Sequence, residues 1–150
     1  MITVIFSALA FFFWLELSFF VGPFFFIHWL GIIAAIFVAI FIPIYYFLKR
    51  RTPKSRKNLL KTHVFGNLFA FFLISIHFAQ NFGRLVNYYP KIGDGIALFV
   101  ILVILVATGF LEKFRIGKNC LRYTKFVHRY SIVIFYFVIM IHMLQGFDII

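Results

Sequence analysis

The sequence predicts an all-α integral membrane protein, a helical bundle of about five transmembrane helices. Three observations carry that prediction: 64% of residues are hydrophobic against 13% charged, the apolar stretches have the length a bilayer requires, and the basic residues crowd into two loops. Average globular usage is about 45–50% apolar and about 25% charged, and a soluble core built from 150 residues cannot absorb such an excess. Disorder, a secreted disulfide scaffold and an ordinary soluble enzyme are excluded. From Met1 to Leu48 there is no Lys or Arg, Glu16 is the only acid and His28 the only histidine. The single cysteine, Cys120, offers no intrachain disulfide, so helix packing or a bound group must hold the one domain expected over residues 1–150.

Hydrocarbon about 30 Å thick takes about 20 apolar residues per helix. The first 48 residues would form a helix of about 72 Å, too long for one span. Gly22-Pro23 breaks that run, because proline cannot continue a helix and glycine tolerates a turn. The first span is predicted at about 2–21 and the second at about 24–48. The third covers about 59–82, with no charge between Lys61 and Arg84. The fourth covers about 95–112, and the fifth about 122–147, with no formal charge between Arg129 and Asp148. Phenylalanine runs such as Phe11-Phe12-Phe13 and Phe24-Phe25-Phe26 read as lipid-facing filler.

Lys49, Arg50, Arg51, Lys54, Arg56, Lys57 and Lys61 lie between the second and third spans, and Lys113, Arg115, Lys118, Arg122, Lys125 and Arg129 flank the loop between the fourth and fifth. These are thirteen of fifteen basic residues; only Arg84 and Lys91 fall in the other long loop. The positive-inside rule puts both basic loops in the cytoplasm. The N-terminus is then cytoplasmic and the C-terminus outside, in the cell's plasma membrane. The absence of a basic N-terminal region argues against a cleaved signal peptide. The net charge of +11, a nucleic-acid signal in a soluble chain, is here a topology signal, and no nucleic-acid partner is expected.

The five histidines, at positions 28, 63, 77, 128 and 142, carry the chemistry. Ionisable groups inside a membrane are costly and are functional candidates by default. His63 and His77 are fourteen residues apart, as are His128 and His142. Fourteen helical steps return to within about 40° of the starting direction and rise about 21 Å, so each pair occupies one face with a member near each membrane surface. The third and fifth spans run in the same direction, which sets His63 with His128 at the inner depth and His77 with His142 at the outer. A structural zinc takes four protein ligands and a catalytic zinc usually three. Haem supplies four equatorial nitrogens itself, so two axial imidazoles complete its iron. Two b-type haems held between the third and fifth helices satisfy the pattern, with no catalytic side chain required.

Gly66 and Ala70 lie on the His63–His77 face, Ser131 is one turn from His128, and Gly95 and Gly109 are again fourteen apart. Such small residues serve either the approach of a macrocycle or simple helix packing. Anionic haem propionates need cations at the membrane edge. Lys61, Arg122, Lys125 and Arg129 are placed for the inner haem and Arg84 for the outer one, although the same residues set topology. Glu16 and His28 together suit a proton path or a quinone head group near the outer haem; otherwise His28 with Trp29 is an interfacial anchor.

Histidine pairs on the third and fifth helices, with one helix between, resemble the ferric reductase-like transmembrane domain. That family includes ferric reductases, NADPH oxidases and the haem subunit of the bacterial methionine-sulfoxide reductase system. Lys57-Asn58-Leu59 before His63 resembles the family's approach to its third helix, and Leu121-Arg122-Tyr123 with Phe126 and His128 its approach to the fifth. The likeness covers roughly residues 24–147. It implies His63 and His128 on the inner haem iron and His77 and His142 on the outer. Respiratory cytochrome b also pairs histidines on parallel helices, but the separation of 65 positions from His63 to His128 leaves less room than that family uses. The family's sixth helix and its flavin and nicotinamide domains are not in this sequence, and no glycine-rich nucleotide fingerprint is present.

The expected function is therefore a membrane di-haem cytochrome of the oxidoreductase type. Electrons enter from a separate flavoprotein or quinol donor and leave to an acceptor outside. One alternative is a quinone-reactive anchor subunit of an oxidoreductase complex, with Glu16 and His28 at the quinone. The others are a haem-free proton or ion transporter using a histidine relay, and a structural membrane protein without cofactor.

Overall fold

The computed structural model describes residues 17, 19–82, 93–116, 118–147 and 149, and they are almost entirely helical. Most of the first predicted span, including Glu16, lies outside the described residues, as do Arg84 and Lys91. The described helices are α1 (Phe26–Arg51), α2 (Arg56–Phe82), α3 (Gly93–Phe114) and α4 (Leu121–Gly146). All four are long and apolar enough to cross a membrane. Their 22 to 27 residues correspond to about 33–40 Å of helix. The chain divides into two compact units, Met1–Leu85 and Val86–Ile150, each containing one helical hairpin.

The first unit corrects one predicted boundary. Phe20–Val21 and Phe24–Phe25 were expected at the end of the first span and the start of the second; they form instead two short antiparallel strands, β1 and β2, paired Phe20 to Phe25 and Val21 to Phe24. Gly22 takes φ +62°. Proline cannot follow it into positive φ, so the two-residue turn is of type II′, whose twist matches that of antiparallel strands. The break at Gly22-Pro23 is therefore a hairpin, and α1 starts two residues later than expected. The indole N–H of Trp29 donates to the Val21 carbonyl at 2.8 Å, and the backbone N–H of Phe26 to the Phe19 carbonyl at 2.9 Å, which ties the hairpin to the first turn of α1.

Helix α1 carries Pro43 in its interior, which membrane helices tolerate because neighbours satisfy the freed backbone groups. It ends on Lys49, Arg50 and Arg51, where cations complement the helix dipole. Each cation lies over the aromatic ring four residues earlier: Lys49 over Tyr45, Arg50 over Tyr46 and Arg51 over Phe47, at 4.2–5.4 Å. The Thr52 hydroxyl and N–H both bond the Leu48 carbonyl, and a short 3-10 turn, Pro53–Ser55, leads into α2. The seam between α1 and α2 buries mainly small or branched residues, Ala34, Ala35 and Val38 on one side, Ala70, Ser75 and Ala79 on the other. Small residues let helix backbones approach closely where lipid gives no hydrophobic drive to association.

In the second unit, α3 opens with Asp94 in its first turn and closes with Lys113 in its last, both matched to the helix dipole. Arg115 has φ +52°, and the Ile116 N–H reaches back to the Leu111 carbonyl at 3.1 Å. This is a Schellman-type ending with a left-handed residue just past the helix. A 3-10 turn, Lys118–Cys120, precedes α4. Leu98, Leu102 and Thr108 of α3 and Thr124 and Phe135 of α4 are the buried residues of this hairpin.

Candidate functional site

Each hairpin holds two of the four paired histidines, one toward each end. In the first unit, His77 lies against the start of α1, with Nδ1 2.8 Å from the Ile27 carbonyl oxygen. A carbonyl only accepts, so Nδ1 carries the proton and the lone pair resides on Nε2. The ring rests on Gly31, whose missing Cβ would stand 3.0 Å from Nδ1. The Asn81 amide donates to the His77 carbonyl at 2.8 Å and lies 3.4 Å from both ring nitrogens. His28 stands edge-on to the same imidazole, ring centres 5.9 Å apart, between Phe24 and Phe25.

At the other end of this hairpin, His63 stacks on Tyr45, with ring centres 4.4 Å apart and planes 13° from parallel. Its Nδ1 is 3.0 Å from the side-chain amide of Asn67. Phe37, Phe41 and Tyr45 continue the stack along α1. The notch at Gly66 holds the Phe37 ring, and Ala70 is buried in the hairpin. Both residues thus lie within the packing of this hairpin. Lys61 is exposed.

In the second unit, His128 Nδ1 is 2.9 Å from the Thr108 hydroxyl. That hydroxyl gives its own proton to the Ile104 or Leu105 carbonyl, at 2.7 and 3.1 Å, so it accepts from Nδ1–H. His142 Nδ1 is 2.9 Å from a carboxylate oxygen of Asp94. Gly109 and Gly95 lie beneath these two rings; a Cβ at either position would meet Cε1 at 3.4 and 3.6 Å, ordinary contact. Ser131 is half-buried. Arg122, Lys125 and Arg129 are exposed and line a shallow concavity along α4 with Phe126, Tyr130 and Val133. By helical periodicity they point about 60–120° around the helix from His128.

The sequence reading found the histidines and missed most of what orients them. Asn67 and Asn81 each follow a paired histidine by four residues and are themselves fourteen apart. Asp94-Gly95 and Thr108-Gly109 repeat a polar residue and a glycine at the same spacing, and so do Gly31 and Tyr45, the residues under His77 and His63. The fourteen-residue register thus runs through all four helices. That repeated polar-glycine pair was the available signal. Among the described residues no three His, Cys, Asp or Glu side chains converge on one point. Comparison with protein-family models, with curated proteins and with solved structures finds no match to this chain.

Proposed function

We propose that this chain is a membrane di-haem b-type cytochrome that carries electrons between a donor on the basic-loop side and an acceptor on the other. In this reading His63 and His128 hold one iron, and His77 and His142 the other, each through Nε2. The observation that carries it is the state of the Nδ1 atoms. Metal-ligating histidines nearly always donate the other ring N–H to a carbonyl, carboxylate or similar acceptor, which fixes tautomer and ring angle. His77, His128 and His142 each do so, to Ile27, Thr108 and Asp94. At His63 it is the Asn67 amide nitrogen that stands 3.0 Å from Nδ1; a half-turn of that amide would bring its buried, unbonded oxygen into the same role.

The donor set fits the group. Two imidazoles per level complete a macrocycle-bound iron and complete little else. A haem held there supplies a one-electron carrier. The chain's own part is to keep four lone pairs aimed, and glycines 31, 95 and 109 let three of the rings sit close to a helix backbone. A haem held by two of these imidazoles would have no vacant position on its iron and would supply outer-sphere electron transfer. Exposed Lys61, Lys125, Arg122 and Arg129 are cations available to propionates or to an acidic partner.

A second reading, a quinone-reactive anchor subunit, draws on His28, which touches the His77 ring. A reduced-minus-oxidised visible spectrum of the protein purified with native lipid tests the first reading. Two haems per chain are expected, with one lost in His77→Ala or His142→Ala. A protein without haem bands, or one keeping both haems in those variants, overturns it. A redox titration that shifts with quinone-site inhibitors favours the anchor.

A further inference from the structure

The two hairpins share a sequence register that separates two kinds of basic residue. On α2, Phe72, Ile74, Ile76, His77, Gln80 and Phe82 recur 65 positions later on α4 as Phe137, Ile139, Ile141, His142, Gln145 and Phe147. The loops match as well: Lys49, Arg51 and Lys54 recur 64 positions later as Lys113, Arg115 and Lys118. Cations common to both loops already satisfy the positive-inside rule. Lys125 and Arg129 are not common, because the register that matches His63 with His128 sets them against Leu60 and Val64 of α2. They are cations of the second hairpin alone, carried on the helix rather than in the loop.

With Arg122 they form a cluster. All three are exposed, none forms an ion pair among the described residues, and together with Phe126, Tyr130 and Val133 they line a concavity of about 500 Å³. In helical projection the three cations fill an arc about 60° wide, and Thr124 and Phe135, the buried residues of α4, lie on the opposite side. Phe137 and Met140, both exposed, continue the same face. Tyr130 to Met140 is a rise of about 15 Å, the depth of one leaflet of a hydrocarbon layer about 30 Å thick. The face thus has a cationic head and an apolar tail of leaflet length.

We propose that this face of α4 binds an anionic phospholipid from the leaflet on the basic-loop side. Arg122, Lys125 and Arg129 hold the headgroup phosphate, and an acyl chain lies along Tyr130, Val133, Phe137 and Met140. Charge complementarity selects the occupant: a guanidinium fork matches phosphate oxygens, and Lys and Arg clustered beside a membrane helix attract anionic headgroups. Arg129, the deepest of the three, has the reach to snorkel to headgroup level. A free phosphate or an acidic protein would make no use of the apolar tail. The cluster is centred about 90° around the helix from His128, so it is not on the histidine face. This inference is independent of the di-haem reading.

The test is native mass spectrometry of the full chain, stripped of lipid in detergent and titrated with dioleoyl phosphatidylglycerol or dioleoyl phosphatidylcholine. The wild type is expected to bind one phosphatidylglycerol more tightly than any phosphatidylcholine, and excess inorganic phosphate should not displace it. The double variant Lys125→Gln, Arg129→Gln weakens that binding about tenfold or more, as the loss of two cations at a membrane surface predicts. The control Lys54→Gln, Lys57→Gln removes the same charge from the first hairpin and keeps the preference. Val133→Asn, which leaves every cation in place, weakens phosphatidylglycerol as well, and circular dichroism verifies that each variant keeps its helices. Equal binding of the two lipids to the wild type overturns the inference, as does displacement by phosphate, which would mark a free-anion site. An equal loss in the control would reduce the effect to net charge. A double variant that keeps its lipid preference but loses haem would assign these cations to propionates instead.

Discussion

Gly31 and His77 are in closer contact than a side chain at position 31 would leave undisturbed. A Cβ there would stand 3.0 Å from Nδ1 and 3.1 Å from Cγ and Cε1 of the imidazole. The ring cannot simply retreat, because Nδ1 is bonded to the Ile27 carbonyl one turn earlier on the same helix. Gly31→Ala is therefore expected to turn His77 and reduce haem content from two per chain toward one. Gly95→Ala and Gly109→Ala, whose new methyl groups meet His142 and His128 only at ordinary contact distance, keep two. Haem-to-protein ratios of the three variants decide the matter; full loading of Gly31→Ala would show that the His77 position is not a ligand site.

Thr108→Val removes the hydroxyl that accepts from His128 Nδ1–H while keeping the side-chain shape. Thr108 is buried, and losing this hydrogen bond costs about 0.5–1.5 kcal/mol, the Leu105 carbonyl remaining as a second partner for the ring. The expected result is a lower midpoint of thermal unfolding, followed by circular dichroism in detergent on protein without haem. Thr108→Ser, which keeps the hydroxyl, recovers most of the loss. Equal stability of Thr108→Val and wild type would mean that the hydroxyl does not hold the ring.

The helices were legible because length and charge decide them. Each of the four described helices begins and ends within three residues of the expected position, since apolar runs of bilayer length are bounded by Arg, Lys, Gly or Pro. The hairpin at Gly22-Pro23 was not, because a helix breaker and a type II′ turn use the same two residues, and only strand pairing of Phe20 with Phe25 distinguishes them. For the site, a period of fourteen places His63 with His77 from sequence alone. What sits under each ring depends on which faces meet within a hairpin, and no periodicity on one helix states that Tyr45 lies on His63 or Asp94 on His142. Gly95 and Gly109 were visible as a spaced pair, yet the polar neighbours that do the orienting were passed over.

Gly66 tests the packing account against the macrocycle account of the small residues. A Cβ at position 66 would run into the Phe37 ring. Overpacking of this kind typically costs about 1–3 kcal/mol. Gly66→Ala is expected to lower the thermal midpoint of protein without haem, and Phe37→Leu in the same chain to relieve it. Positive coupling in that double-mutant cycle is the signature of direct contact. If instead Gly66→Ala is neutral without haem and lowers haem content, the residue serves the macrocycle.

Orientation can be read from a single atom. Cys120 is the sole cysteine and is exposed, at the end of the 3-10 turn that leads into α4. Lys113, Arg115, Lys118, Arg122 and Lys125 surround it in sequence, and the positive-inside rule expects a loop this basic in the cytoplasm. A membrane-impermeant maleimide should leave Cys120 unmodified in intact cells and label it in inside-out vesicles, with detergent-solubilised protein as the full-labelling control. Labelling in intact cells would reverse the assignment.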